Sequence, residues 1–253
     1  MRLAMWLTAS FLTLSPLVAT DARAALIDLG PGAFTPLAPV MTFDQATVPL
    51  GTVNPSFTFP SVPTLGDVTV TFAGNFVGQT ASGGFPVTLT DHTPTGPLAL
   101  DAASPNTVTV TDSAPGATSP VLSGSPTFNG PISIFFSVPV AGVGLKGGFF
   151  DAVNSTSIEA YDANGNVLGS ITNSVEGFEF YGLADSTGGH VIKGISFFIT
   201  GNEPQGFQID NVTFGGGDVI NQPTPVPEPA TLLLLGSSAA GLLAVARRRK
   251  RDR

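Results

Sequence analysis

The sequence contains no cysteine, which excludes disulfides, thiolate metal centres and a cysteine nucleophile. Cationic side chains are almost as scarce through the body of the chain. Between residues 25 and 246 only Lys146 and Lys193 occur, against sixteen Asp and Glu, so this stretch carries −14 although the whole chain carries −8. Phosphate binding needs clustered Lys and Arg to displace counterions, so nucleic acid is excluded as a partner of this stretch. Histidine is limited to His92 and His190, with neither an HExxH pair nor a G-x-S-x-G elbow nearby, and the chain reads as a non-enzyme. His92 beside Asp91 reads as a surface turn. The one tryptophan, Trp6, sits near the N-terminus, and the only tyrosines are Tyr161 and Tyr181. A sustained helical period is also missing between residues 34 and 214.

What is present is apolar and turn-rich. Hydrophobic residues make up 42% and charged residues 11%, which is not the composition of a disordered polyanion. Thirty glycines and 22 prolines disfavour helix interiors. At 253 residues there is room for one domain of roughly 180 residues with tails, enough to bury about 70% of its unfolded surface.

The two ends carry targeting signals. Residues 1–24 have a basic start at Arg2, an apolar run over residues 3–14, Pro16, and the small-x-small site Ala22-Arg23-Ala24. This is the pattern of a secretory signal peptide, with cleavage expected between Ala24 and Ala25; the alternative is an uncleaved anchor. At the other end, residues 230–246 are uncharged and would span about 25 Å as a helix, the short end of the transmembrane range. The basic cluster Arg247, Arg248, Arg249, Lys250, Arg251 follows directly and is expected to hold this end in the cytoplasm. Before the helix stands Pro227-Glu228-Pro229, preceded by Pro223-Thr224-Pro225-Val226. Prolines favour an extended strip, which suits presentation to a processing enzyme's cleft.

Pro-Glu-Pro, an apolar helix and an arginine cluster, in that order over residues 226–253, resemble the PEP-CTERM protein-sorting signal. The resemblance implies that an exosortase-type membrane enzyme recognises Pro227, Glu228 and Pro229 and removes the helix and basic tail. It further implies a precursor held in the cytoplasmic membrane and a mature form at the cell surface or in the extracellular, exopolysaccharide-containing matrix. An ordinary tail anchor behind a Pro-rich stalk is the competing reading. Tails of this kind are also catalogued under an ice-binding heading.

Between the signals, short alternating runs recur: Val68-Thr69-Val70-Thr71-Phe72, Val108-Thr109-Val110-Thr111, Ile132-Ser133-Ile134-Phe135-Phe136, and residues 207–214. Many short strands bounded by turns predict an all-β sandwich. Asn164-Gly165 within Asp162-Ala163-Asn164-Gly165-Asn166 predicts a hairpin with a type I′ turn. It is not a calcium loop, because the sixth position is Val167 and the twelfth Asn173, where glycine and glutamate are required. The expected organisation is an N-terminal extension over residues 25–33, a sandwich over 34–214, a flexible linker over 215–226 that begins Gly215-Gly216-Gly217-Asp218, and the sorting signal over 227–253.

Thr42-Phe43-Asp44 at the start of the body and Ile209-Asp210-Asn211-Val212-Thr213-Phe214 at its close resemble galactose-binding-like and carbohydrate-binding-module jelly rolls. The resemblance implies a jelly-roll-like sandwich with first and last strands adjacent, and a structural calcium shared by Asp44 and Asp210. Calcium takes six to eight oxygens, so the alternative is two strand-end carboxylates satisfied by turn amides. A carbohydrate-binding module acting on exopolysaccharide is the second functional reading, beside a structural surface or matrix protein. The near-absence of Trp and Tyr weighs against it, since sugars commonly stack on such rings. Ice binding would need a flat threonine array. Thr107, Thr109 and Thr111 share one strand face, as do Thr69 and Thr71, and alternation of this kind is also what a half-exposed strand shows.

Overall fold

The computed structural model describes residues 25–44, 48–112 and 120–221. The signal peptide, the Pro-rich segment, the apolar segment 230–246 and the basic tail lie outside the described residues. Among those described, no helix is long and apolar enough to cross a membrane.

The first eight strands are β1 (Leu26–Asp28), β2 (Val40–Met41), β3 (Ser56–Val62), β4 (Gly66–Ala73), β5 (Thr80–Ala81), β6 (Leu89–Asp91), β7 (Val108–Val110) and β8 (Val121–Ser123). Seven longer ones follow: β9 (Ile132–Val140), β10 (Gly142–Phe150), β11 (Thr156–Tyr161), β12 (Val167–Thr172), β13 (Gly177–Asp185), β14 (Ile192–Ile199) and β15 (Gln208–Gly215). All pairings are antiparallel. One sheet runs β1-β13-β10-β15-β8-β7, with β2 added beside β15; the other runs β12-β11-β14-β9-β4-β3. A small β5-β6 ribbon stands apart. From β9 onward the chain passes repeatedly between the sheets, so this is an all-β, sandwich-like architecture.

The alternation seen in the sequence selects the core. In β4, Val68, Val70 and Phe72 are fully buried while Thr69 and Thr71 are partly exposed. One apolar cluster joins the inner faces: Val143, Leu145, Tyr181, Leu183, Ile209 and Phe214 from the first sheet meet Ile134, Phe136, Ile158, Ile195 and Phe197 from the second. Phenylalanine fills much of it, with Phe43, Phe57 and Phe72 in mutual edge-to-face contact at 5.6–6.1 Å. Such pairs contribute about 0.5–1.5 kcal/mol each beyond area burial.

Two boundary expectations and one turn type change. The sandwich begins at β1, inside the supposed extension, because Leu26–Asp28 pairs with β13. At the other end Gly215-Gly216-Gly217-Asp218 is packed structure, not a flexible linker. Gly215 ends β15, a 3-10 turn spans Gly217–Val219, and Ile220 bridges to Phe34. The glycines are there for space: a Cβ on Gly215 would stand 2.1 Å from Val219 Cγ2, and one on Gly216 2.1 Å from Thr64 Oγ1. The β11–β12 hairpin exists, but only Gly165 has positive φ. Gly165 N–H donates to the Asp162 carbonyl, and the register shifts at Ala160/Tyr161. This is a type I turn closed by a glycine bulge, with Asp162 Oδ1 accepting from the N–H groups of Asn164 and Asn166 at 2.8 Å.

Candidate functional site

A glycine-rich strand shapes the outer face of the first sheet. On β10 the even positions Gly142, Gly144, Lys146 and Gly148 point away from the core residues Val143 and Leu145. On β13 Phe178 and Phe180 do the same opposite Tyr181. Phe180 Cζ lies 2.5 Å from where a Cβ of Gly144 would stand, and Phe178 Cε1 lies 2.1 Å from the equivalent point at Gly148. Both rings therefore lie down across β10. Phe34, from the segment crossing this face, reaches the same point at Gly144 with Cε2 at 2.9 Å.

The result is an open groove of about 520 Å³, within the usual range for small-ligand sites. Its floor is aromatic, from Phe34, Phe178 and Phe180, and Pro36 and Val40 extend the apolar wall. Polar groups enter from Thr35, Lys146, Glu179, Asn211 and Thr213. Lys146 Nζ stands 5.3 Å from the centre of the Phe178 ring, a cation–π distance.

Beside the groove, β15 bulges. Its core residues switch from Phe207 and Ile209 to Val212 and Phe214 across Asp210-Asn211, with Asn211 in left-handed backbone (φ 49°). The bulge aims Asn211 into the groove and sets Asp210 in register with Lys146. Pairing of β2 with β15 brings the start and close of the body together, as the jelly-roll resemblance implies. Asp44 is exposed and accepts from Thr42 Oγ1. Asp210 is buried and accepts from Asn211 N–H at 2.7 Å and Nδ2 at 3.0 Å. Among the described residues, no three His, Asp or Glu side chains gather at one point. Two carboxylates alone fall well short of a calcium ligand set.

His92 does not pair with its neighbour Asp91. Its Nδ1 lies 2.9 Å from Glu159 Oε1, and its ring stacks on Phe198 at 5.5 Å. Its carbonyl accepts from Tyr161 Oη at 2.8 Å and Gln79 Nε2 at 2.9 Å. Tyr161 is fully buried, and burial and the nearby Glu159 charge raise its pKa well above the usual phenol range. Both tyrosines are therefore interior groups; Tyr181 shares a 2.9 Å hydrogen bond with Thr156. Thr107 and Thr109 are buried as well, so the β7 threonine row is not an exposed array.

Glu203 is a buried carboxylate in the loop before β15. It accepts from Asp151 N–H at 2.9 and 3.1 Å and from Ser155 Oγ. Burial, helped by the Asp151 carboxylate and opposed by these hydrogen bonds, pushes its pKa up to about 7. Neither this group nor the groove is marked by a motif in the sequence.

The described fold defines an all-β, sandwich-like body. Residues 225–250 match the family model of the PEP-CTERM protein-sorting motif, so the chain carries that signal, as the C-terminal residues led one to expect. The motif marks an exported protein whose membrane-anchored precursor is processed by exosortase and sorted to the cell surface. Pro227, Glu228, Pro229 and residues 247–250 of the basic cluster fall within the match but lie outside the described residues, as do Arg251 and Ala24. No curated protein matches the chain. Among solved structures, the enzymatically active domain of tailspike protein 4 of bacteriophage CBA120 is 18% identical over 59% of this chain, with a TM-score of 0.23. The match spans 19% of that chain's length.

Proposed function

We propose that this chain is a structural protein of the cell surface or extracellular matrix, associated with exopolysaccharide and delivered there by its C-terminal signal. The observation that carries the reading is the sorting motif over residues 225–250 joined to a single acidic β-sandwich. A body with two lysines and sixteen carboxylates stays hydrated and resists non-specific capture by polyanions. Removal of the tail at the Pro227-Glu228-Pro229 strip would strip away all six of its basic residues and release this body. Fractionation of cells carrying a tagged body tests it. The processed form should be recovered from the surface or matrix fraction, and retention in the periplasm as a processed, soluble protein would count against it.

The second reading, a carbohydrate-binding module, draws support from the groove. Phe178 and Phe180 lie flat, and apolar faces flanked by a few polar groups suit a sugar ring's C–H face. Residues 25–221 contain both sheets and the whole apolar cluster, so they form a self-contained body for calorimetry against oligosaccharides from the native matrix. Saturable binding lost in Phe180→Ala favours this reading; no heat at millimolar oligosaccharide removes it.

A further inference from the structure

The last described residues pair with the segment that carries Phe34, a lining residue of the groove. Ile220 bridges Phe34, and Asn221 N–H donates to the Ala33 carbonyl at 2.7 Å. Gly32, next to Ala33 in the chain, lines the groove. The residues that come next in the sequence are Gln222-Pro223-Thr224-Pro225-Val226-Pro227-Glu228-Pro229. We propose that the groove receives this proline-rich segment of its own chain.

Three observations favour that occupant. Proline-rich segments have a preformed extended backbone and dock into grooves lined by aromatic rings; Phe34, Phe178 and Phe180 supply such rings. Reach is sufficient, since eight residues at about 3.1 Å each cover roughly 25 Å. The neighbouring Leu37 and Val40, 72% and 47% exposed, add apolar surface that a docked segment would cover. Tethering raises the effective concentration to the millimolar range, so even a weak intrinsic affinity suffices. The docked segment would fix how the body stands relative to the sorting motif, with the outer face of the first sheet turned toward its own stalk. This inference does not depend on the sugar reading.

The absence of cysteine makes a clean test possible in the full-length chain, held in detergent. Val40→Cys with Val226→Cys places one thiol in the groove and one in the segment. Val77→Cys with Val226→Cys is the control, because Val77 is similarly exposed (42%) but lies beside Phe76, which packs on Tyr161 of the other sheet. The groove pair should form an intramolecular disulfide about tenfold faster than the control, and Phe180→Ala should slow the groove pair alone. Equal rates for the two pairs, or no effect of Phe180→Ala, would overturn the proposal. Disulfides formed between two chains would also overturn it, in favour of a second copy as occupant. Oligosaccharide binding is measured on residues 25–221, without the segment, so either idea can fail alone.

Discussion

Phe180 occupies the space that a side chain at position 144 would need: its Cζ stands 2.5 Å from the Cβ point of Gly144 on the adjacent strand. A groove with an aromatic floor exists because β10 has glycine there. Gly144→Ala should push Phe180 off the sheet and destabilise the body by about 1–3 kcal/mol. Adding Phe180→Ala should recover part of that loss, because the two residues share one space. Urea midpoints of the single and double variants check this; strictly additive losses would refute the coupling.

Glu203 predicts a pH dependence of stability. Its folded pKa of about 7 lies above the ordinary carboxyl value of 4.5, so the folded state holds this proton more tightly than the unfolded chain does. Its stabilising contribution is fully present below pH 4.5 and is lost as pH rises through about 7. The loss is on the order of 3 kcal/mol at most, from about 1.4 kcal/mol per pH unit. Glu203→Gln should flatten the slope between pH 5 and 7, because an amide does not titrate while its oxygen can still accept from Asp151 N–H and Ser155. Urea unfolding across that range measures the slope, and an unchanged slope in the variant would exclude Glu203 as its source.

Much of the fold was legible because it rests on alternation. Val68, Val70 and Phe72 announce a half-buried strand by spacing alone, and β4, β7, β9 and β15 stand where the alternating runs placed them. The Asn164-Gly165 turn was legible in position but not in type, since the Asp162 carboxylate selects the bulged form through hydrogen bonds that spacing does not encode. The groove has a sequence signal of its own. Glycines at 142, 144 and 148, together with Phe178 and Phe180, show the same two-residue period on neighbouring strands, but nothing local reveals that β10 and β13 pair. His92 and Glu159 are 67 residues apart in sequence, and only the fold brings them together. Gly215-Gly216-Gly217 looked flexible because glycine serves both freedom and close approach, and here close approach to Val219 and Thr64 is the cause.

Calcium should have little influence on the body. Asp44 and Asp210 are engaged by Thr42 and Asn211, and two carboxylates leave most of a calcium coordination shell unfilled. The melting midpoint of residues 25–221 should therefore be unchanged when a chelator replaces millimolar calcium. A fall of several degrees would demonstrate a bound ion stabilising the native state, and loss of that effect in Asp210→Asn would locate it.

The most direct measurement for the central claim is intact mass analysis of the mature protein's C-terminus, in the wild type and in a variant with Pro227, Glu228 and Pro229 all replaced by alanine. Sorting through this motif predicts a wild-type product ending close to Pro227-Glu228-Pro229, with residues 230–253 removed. The alanine variant should persist as the full-length, membrane-bound chain. An alanine variant trimmed and released like the wild type would contradict the account, as would a mature wild-type protein that retains its basic tail.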